Sequence, residues 1–427
     1  MTTSSKLTFK YLVLTTLLLS LTIGTPFIVF QYIKYQVKND ILSAISTVNE
    51  TTEQSIELWI NETKSTVESW AVKNEILITY VETLLQSPQT NADLTTHLTT
   101  EKIRHYFAPL IESKDYKGFF ILSPKNINIA ASHDDHLGKA CLLLEGDDVL
   151  KEVIKGKTIL SLPQSLETSL YGTKGKQAAN LATMFVTTPI YNKHKQIIAV
   201  LSLQMDPRLN FSRLLQLGRI GESGETYAFN RAAKLISESR FDEQLKKMGL
   251  LDDEQSAVLN ISIRDPGYNL LENKKRTRHI DPMKMPLTLM AESATSGVSS
   301  YNLDGYRDYR GVLVIGVWKW NDALGFGIST EIDVNDAFNT LNIIKYAMIF
   351  ATLFNILLIT LLVLKFMQHN RAAKRQSLED GLTGLANRRM LDIKLETEFS
   401  HFLRNGQPLS ICTVSYTHLT LPTKRIV

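Results

Sequence analysis

GFFILSPKNINIAAS, from Gly118 to Ser132, sets apolar segments on both sides of a polar turn at Pro124, Lys125 and Asn126, and so reads as strand, turn and strand. TYAFNRAAKLISES, from Thr226 to Ser239, repeats that shape with an aromatic strand, a polar turn, a second strand and a terminal serine. One pattern recurring in this way predicts an internal duplication of a single unit. Each copy closes on a hairpin. FVTTPIYNKHKQIIAVLSLQMD (Phe185 to Asp206) and LVIGVWKWNDALGFGISTEID (Leu313 to Asp333) are each two apolar strands about a polar turn, ending on an acidic residue. The predicted fold class is α+β, with two tandem antiparallel-sheet modules. The distal one covers about 87–210 and the proximal one about 218–337.

Upstream of the first module, Ile56, Trp59, Ile60, Thr63, Val67, Trp70, Leu77, Val81 and Leu84 recur at three- and four-residue steps. This spacing predicts a long stalk helix with one apolar stripe. Before it, YLVLTTLLLSLTIGTPFIVFQYI (Tyr11 to Ile33) carries no charge and is long enough to span a hydrocarbon core of ~30 Å. A cleaved signal peptide is the competing reading, but the run exceeds the usual apolar region of roughly 7–15 residues and no small-x-small site follows. IIKYAMIFATLFNILLITLLVLKFM (Ile343 to Met367) predicts a second span, with Lys345 and Lys365 near its ends, where they can snorkel.

His369, Arg371, Lys374 and Arg375 place the chain beyond the second span in the cytoplasm, whereas Lys34 and Lys38 weaken the bias at the amino end. Two spans and a cytoplasmic carboxyl side put residues 1–10 inside and residues 34–342 outside the cytoplasmic membrane. The lipid bilayer is thus an expected partner and the bacterial inner membrane the expected location. A net charge of +4 is too mild for nucleic acid to be an expected partner. Cys141 and Cys412 fall on opposite sides of the membrane, which excludes a disulfide framework and a cysteine-built metal site.

A stalk helix and two tandem sheet modules between two spans resemble the double Cache sensor family, whose modules have a PAS-like fold. The resemblance covers roughly residues 35–340, and its sharpest phrases are GRIGESGETYAFN from Gly218, ISESRFDEQL from Ile236 and GYRDYRGVLVIGVWKW from Gly305. It implies a small extracytoplasmic ligand held in the distal module, where Tyr171, Phe185 and Tyr191 are the candidate contacts. In the proximal module, Trp318 and Trp320 sit two apart and share a sheet face near Tyr309. Core packing is the plain reading of Trp318 and Tyr309, and stacking on a ligand the functional one. Arg307, Asp308 and Arg310 read equally as an exposed loop network or as partners of a zwitterion. His133, Asp134, Asp135 and His136 have metal-ligand chemistry, but four consecutive side chains cannot all converge on one ion, so a solvated turn is expected.

After the second span and a signalling linker (368–379), Asp380-Gly381-Leu382-Thr383-Gly384-Leu385-Ala386-Asn387-Arg388-Arg389 resembles the opening signature of the GGDEF domain of diguanylate cyclases. In that family the signature is a wide turn before the first helix. Its residues here (Asp380, Leu382, Thr383, Gly384, Leu385, Asn387, Arg388, Arg389) are expected to shape the domain and its junction with the linker rather than to catalyse. The resemblance implies synthesis of cyclic di-GMP from two GTP, with Mg2+ neutralising the developing charge. It also implies a homodimer, since each domain brings one GTP.

The acidic metal ligands that this chemistry needs are missing. Residues 380–412 read as an incomplete domain start, and TVSYTHLTLPTKRIV (413–427) resembles the translated end of a transposase-based sequencing library. The chain as it stands is therefore expected to be inactive, with no catalytic, metal or cofactor residues of its own. A receptor without enzymatic output and a sensor histidine kinase are the rival readings. Against the second, His369 stands alone and close to the membrane.

Overall fold

The computed structural model describes residues 3–72, 74–113, 116–141, 149–165, 182–272 and 284–413. Gln31–Ile343 form one compact unit, and the described residues before and after them form a second. Helix α1 (Thr3–Val72) runs through the predicted span and the predicted stalk as far as Val72, so span and stalk are continuous, but Leu77, Val81 and Leu84 of the predicted stripe lie beyond a break, in a separate helix. No Gly or Pro stands between Ile33 and Val72 to stop it. Asn74 opens the next helix, α2 (Glu75–Gln86), by accepting hydrogen bonds from the amides of Ile76 and Leu77. Helices α3 (Asn91–Thr96) and α4 (Leu98–Glu112) come next.

The distal module is built from β1 (Gly118–Leu122), β2 (Asn128–Ala131), helix α5 (Val149–Ile154), β3 (Ile159–Leu160), β4 (Gln164–Ser165), β5 (Ala182–Tyr191) and β6 (Ile197–Met205). Its antiparallel sheet has the order β2-β1-β6-β5-β3, with β4 also on β5. Helix α6 (Asn210–Leu217) leads to the proximal module: β7 (Glu225–Phe229), α7 (Asp242–Met248), α8 (Leu289–Thr295), β8 (Ser300–Arg307), β9 (Leu313–Asn321) and β10 (Phe326–Asp333). Its sheet order is β7-β10-β9-β8. The order β1-β6-β5 thus recurs as β7-β10-β9, the topology of a duplicated unit.

The turns recur as well. The amide of Asn126 donates to the Ser123 carbonyl, that of Lys195 to Asn192 and that of Ala233 to Asn230, each at 2.9–3.0 Å. The donating residues sit in the left-handed region at φ 59°, 60° and 54°. The predicted strand after Arg231 departs from its counterpart and pairs only through isolated bridges such as Phe229 with Leu235. The reason is local: the Ala228 amide donates to the Ser237 hydroxyl (3.1 Å) instead of to a strand carbonyl.

One face of each sheet packs on helices. In the distal module Phe119 stacks on Phe107 of α4, with ring centroids 4.5 Å apart, beside Ile56, Ile60 and Val67 of α1 in the same core. In the proximal module α1 lies along β9 and β10. Ile45 packs with Ile315 and Ile332, Asn49 donates to the Ile328 carbonyl (3.3 Å) and the Thr330 hydroxyl (3.2 Å), and Lys319 pairs with Glu53 at 2.6 Å. The end of β10 passes through α9 (Val334–Ala337) directly into α10 (Asn339–Leu378).

Helices α1 and α10 are long and apolar enough to cross a membrane, with mean hydropathy 2.0 and 2.6 over their most apolar stretches. In the second unit α10 continues through the predicted linker to Leu378. The turn after it is held by Asp380, whose Oδ1 accepts from the amides of Leu382 (3.2 Å) and Thr383 (3.0 Å) and from the Thr383 hydroxyl (2.8 Å). These bonds to the charged form hold the Asp380 carboxyl below its ordinary range. Gly384 takes φ 68° within the turn. Asn387 caps α11 (Arg388–Asn405) and reaches back to the Ser377 carbonyl at 3.0 Å, and Arg389 reaches the Ser377 hydroxyl at 3.3 Å. The signature residues therefore join linker to helix.

Candidate functional site

Strand pairing fixes which side chains share the sheet faces that lie away from α1. In the distal module Gly118, Gln204 and Phe185 form one row, Phe120, Ser202 and Thr187 the next, and Leu122, Val200 and Pro189 the third. The third row is covered by Cys141, Val149, Leu150, Val153 and Ile159. The middle row carries two buried hydroxyls, Thr187 and Ser202, 3.0 Å apart. Phe120 meets His136 edge-on at 5.4 Å and Phe185 at 6.2 Å. The Phe185 backbone is fixed to Ser161, whose amide donates to the Phe185 carbonyl (2.8 Å) and whose hydroxyl accepts from the Phe185 amide (2.9 Å). Hydroxyls, an amide and aromatic rings thus share one buried face, a set of groups suited to hydrogen bonding and stacking.

The proximal module carries the same three rows with different occupants. Glu225, Glu331 and Gly316 stand where Gly118, Gln204 and Phe185 stand; Tyr227, Ser329 and Trp318 replace Phe120, Ser202 and Thr187; Phe229, Gly327 and Trp320 complete the set. Here the face is filled from within. Trp318 occupies the place of Thr187, is 2% exposed, and donates through Nε1 to the Ser293 hydroxyl at 3.0 Å. Tyr306 enters the space that Gly316 leaves, since a Cβ there would lie 2.6 Å from its hydroxyl. Tyr309 donates to Glu225 Oε2 at 2.6 Å and lies against the Ser239 hydroxyl at 2.9 Å.

The candidate residues therefore separate. Phe185 lies on the distal face, buried, and Tyr191 stands half-buried at the far end of the same strand, its hydroxyl 3.0 Å from where a Cβ on Gly156 would be. Tyr171 falls outside the described residues. Tyr309 and Trp318 belong to the proximal core together with Trp320, whose ring receives the Arg231 guanidinium at 4.5 Å. Asp308 and Arg310 are not in an exposed loop: both are buried and paired at 2.6 Å, because the turn that carries them folds under Phe241, whose ring lies 3.6 Å from the Arg310 guanidinium. Asp134 to His136 form a short 3-10 turn, with Asp134 paired to Arg104. Thr187, Ser202, Gln204 and Phe120 escaped the sequence reading. The alternation of Phe185, Thr187 and Pro189 in FVTTPI carried the signal, but only the register against β6 shows that these residues share a face.

Electrostatics sets the proximal face apart. Burial, joined by the nearby Asp308, pushes the Glu331 carboxyl up to about 8, against the pull of the Tyr306 hydroxyl that donates to it at 2.6 Å. Burial likewise raises Glu225, against its hydrogen bonds from Tyr309 and Ser239. It also raises Asp308, to about 6, although Arg310 opposes the shift.

Elsewhere a cleft of about 580 Å³ opens along the stalk, with Trp59, Trp70, Tyr116, Met205 and Arg213 among its walls. Among the described residues no group of three or more His, Cys, Asp or Glu side chains is arranged to hold a metal ion. The Mg2+ implied by the cyclase resemblance therefore finds no fitting donor set in residues 380–413.

No protein-family profile matches this chain, and no curated protein matches it. Solved structures do align with it. The sensor domain of the histidine kinase DctB of V. cholerae is 12% identical, with a TM-score of 0.41, over 70% of this chain and 98% of that one. The periplasmic domain of RsbU from Chlamydia trachomatis is 14% identical, with a TM-score of 0.40, over 73% and 99%. The ligand-binding domain of the Campylobacter jejuni chemoreceptor Tlp3, in complex with L-valine, is 11% identical, with a TM-score of 0.40, over 71% and 97%.

Proposed function

We propose that this chain is the sensing half of a two-span bacterial membrane receptor, which binds a small extracytoplasmic ligand on the distal sheet face and regulates a cytoplasmic diguanylate cyclase. The observation that carries the sensor reading is the contrast between the duplicated faces. The proximal face is filled by its own Trp318 and by Tyr306 over Gly316, whereas the distal positions equivalent to Trp318 and Gly316 carry Thr187 and Phe185. Small hydroxyl side chains where the sister module places an indole are what a ligand-holding face requires. Ligand acts by favouring one of two arrangements of the helices that leave the sensor, and a homodimer lets that choice bring two GTP-bearing domains together.

The cyclase reading rests on the Asp380–Arg389 signature, which here forms a capped turn tied back to the linker helix. In this reading Mg2+ and GTP belong to sequence that would continue past Cys412, and residues 413–427 are foreign to the gene. Sequencing the genomic locus outward from the codons for Asp380–Arg389 tests it. Acidic metal-ligand codons after Cys412 and an intact GGDEF loop are expected, and the completed protein should make cyclic di-GMP from GTP and Mg2+. A native stop after Val427 would overturn the enzyme reading and leave a receptor without output. The distal site is tested by thermal-shift screening of the full chain in detergent against free L-amino acids. A stabilising hit should vanish in Thr187→Val/Ser202→Val. A hit that survives the double substitution places the ligand elsewhere.

A further inference from the structure

The proximal face gathers acids without enough cations to balance them. Glu225 on β7, Glu331 and Asp333 on β10, and Asp308 in the turn between β8 and β9 meet three tyrosines, Tyr227, Tyr306 and Tyr309, and the Arg310 guanidinium. Arg310 is already committed. Its Nε donates to Asp308 Oδ2 at 2.6 Å and its Nη2 to Asp333 Oδ1 at 2.7 Å. The Arg240 side chain is spent on the Gly224 carbonyl at 2.6 Å, and only its backbone amide reaches Glu225, at 2.7 Å. Glu225 and Glu331 are 5% and 4% exposed and receive neutral donors alone. With Arg310 the one guanidinium named in this cluster and already paired to Asp308 and Asp333, burial favours a proton on the Glu225–Glu331 pair.

We propose that the proximal module is a proton sensor, in which the Glu225–Glu331 pair takes up and releases a proton and thereby biases the two helices that leave the module. This input is separate from the distal ligand and stands whether or not a cyclase lies beyond the membrane. The coupling is in the strand. Glu331 and its row face the acids, while its neighbours Thr330 and Ile332 face α1 through Asn49 and Ile45, and two residues later β10 ends at Asp333 and gives way to α9 and α10. Deprotonation of Glu331 puts a negative charge beside the Glu225 and Asp308 carboxyls. The relief available is movement of β10 away from β7, which shifts the strand that holds α1 and leads into α10. An extracytoplasmic module is exposed to the pH of the surroundings, which makes a proton a meaningful signal there.

The test uses the full chain in lipid nanodiscs. Infrared difference spectra should show the carbonyl band of a buried carboxylic acid disappearing as pH rises, with a midpoint of about 8. Glu331→Gln, which imitates the protonated acid, should abolish this titration. Tyr306→Phe, which removes a donor to the carboxylate, should move the midpoint upward and serves if the first variant fails to fold. Spin labels at Thr47→Cys and Asn339→Cys in a Cys412→Ser background should change their separation between about pH 6 and about pH 9.5, and stay fixed in Glu331→Gln. Either of two results overturns the proposal: no carboxylic acid titrating between about pH 5 and about pH 10, or a label separation indifferent to that titration.

Discussion

At the scale of the residue, a raised carboxyl has a definite sign. Glu331 binds its proton up to about 8 in the folded protein but only to about 4.3 in an unfolded chain, so between those values the folded state holds a proton that the unfolded state lacks. Its contribution to stability is therefore present at the acid end of the window and is lost as pH rises to about 8. Asp308 adds the same trend up to about 6. Thermal unfolding of the wild-type chain should show a midpoint falling from mildly acid to mildly alkaline pH, and Glu331→Gln should flatten the alkaline half of that fall. Among the repeated turns, the one at Lys195 leaves that residue exposed at φ 60°, a conformation that costs a non-glycine residue roughly 1–2 kcal/mol. Lys195→Gly should raise stability by up to about 1 kcal/mol in a denaturant titration, since no side-chain packing is lost.

Single residues also mark the limit of what the sequence made legible. Thr187 and Trp318 stand at equivalent points of two hairpins that read alike from composition. Only the register, Thr187 against Ser202 in one sheet and Trp318 against Ser329 in the other, shows that a hydroxyl and an indole occupy equivalent places.

At the scale of the element, α1 shows how a run of good helix formers overrides a change of environment. The uncharged segment and the amphipathic stalk differ in pattern, yet no residue between them can break the helix, and the boundary inferred from hydropathy is not a boundary of structure. The first true break is Asn74. Asn74→Ala removes the acceptor for two amides and should destabilise α2 by about 1 kcal/mol, read as faster hydrogen exchange at Ile76 and Leu77. Hairpins were legible because alternation and turn chemistry are local properties. The strand after Arg231 was not, because a serine hydroxyl replaces a ladder carbonyl there, and a distant register decides whether that substitution is used. The burial of Asp308 and Arg310 was not legible for a related cause: charged residues in a turn read equally as an exposed network until the ring of Phe241 is seen to cover Arg310.

At the scale of the whole molecule, two long apolar helices and a large unit of Gln31–Ile343 between them make a testable topology. In a Cys412→Ser background, a cysteine introduced at exposed Lys247 should react with a membrane-impermeant maleimide in intact cells once the outer membrane is opened, while Arg371→Cys should react only after the cytoplasmic membrane is breached. The reverse pattern would invert the assignment of inside and outside. The proximal sheet holds α1 by side chains and becomes α10 by main chain, whereas no described strand of the distal module pairs with β10 or leads into α10. Under the proposed function, recognition falls to the distal sheet face and transmission to the strand that becomes α10. If the ligand lies on the distal face, that face can change without touching the side chains that tie β10 to α1 or the main chain that becomes α10.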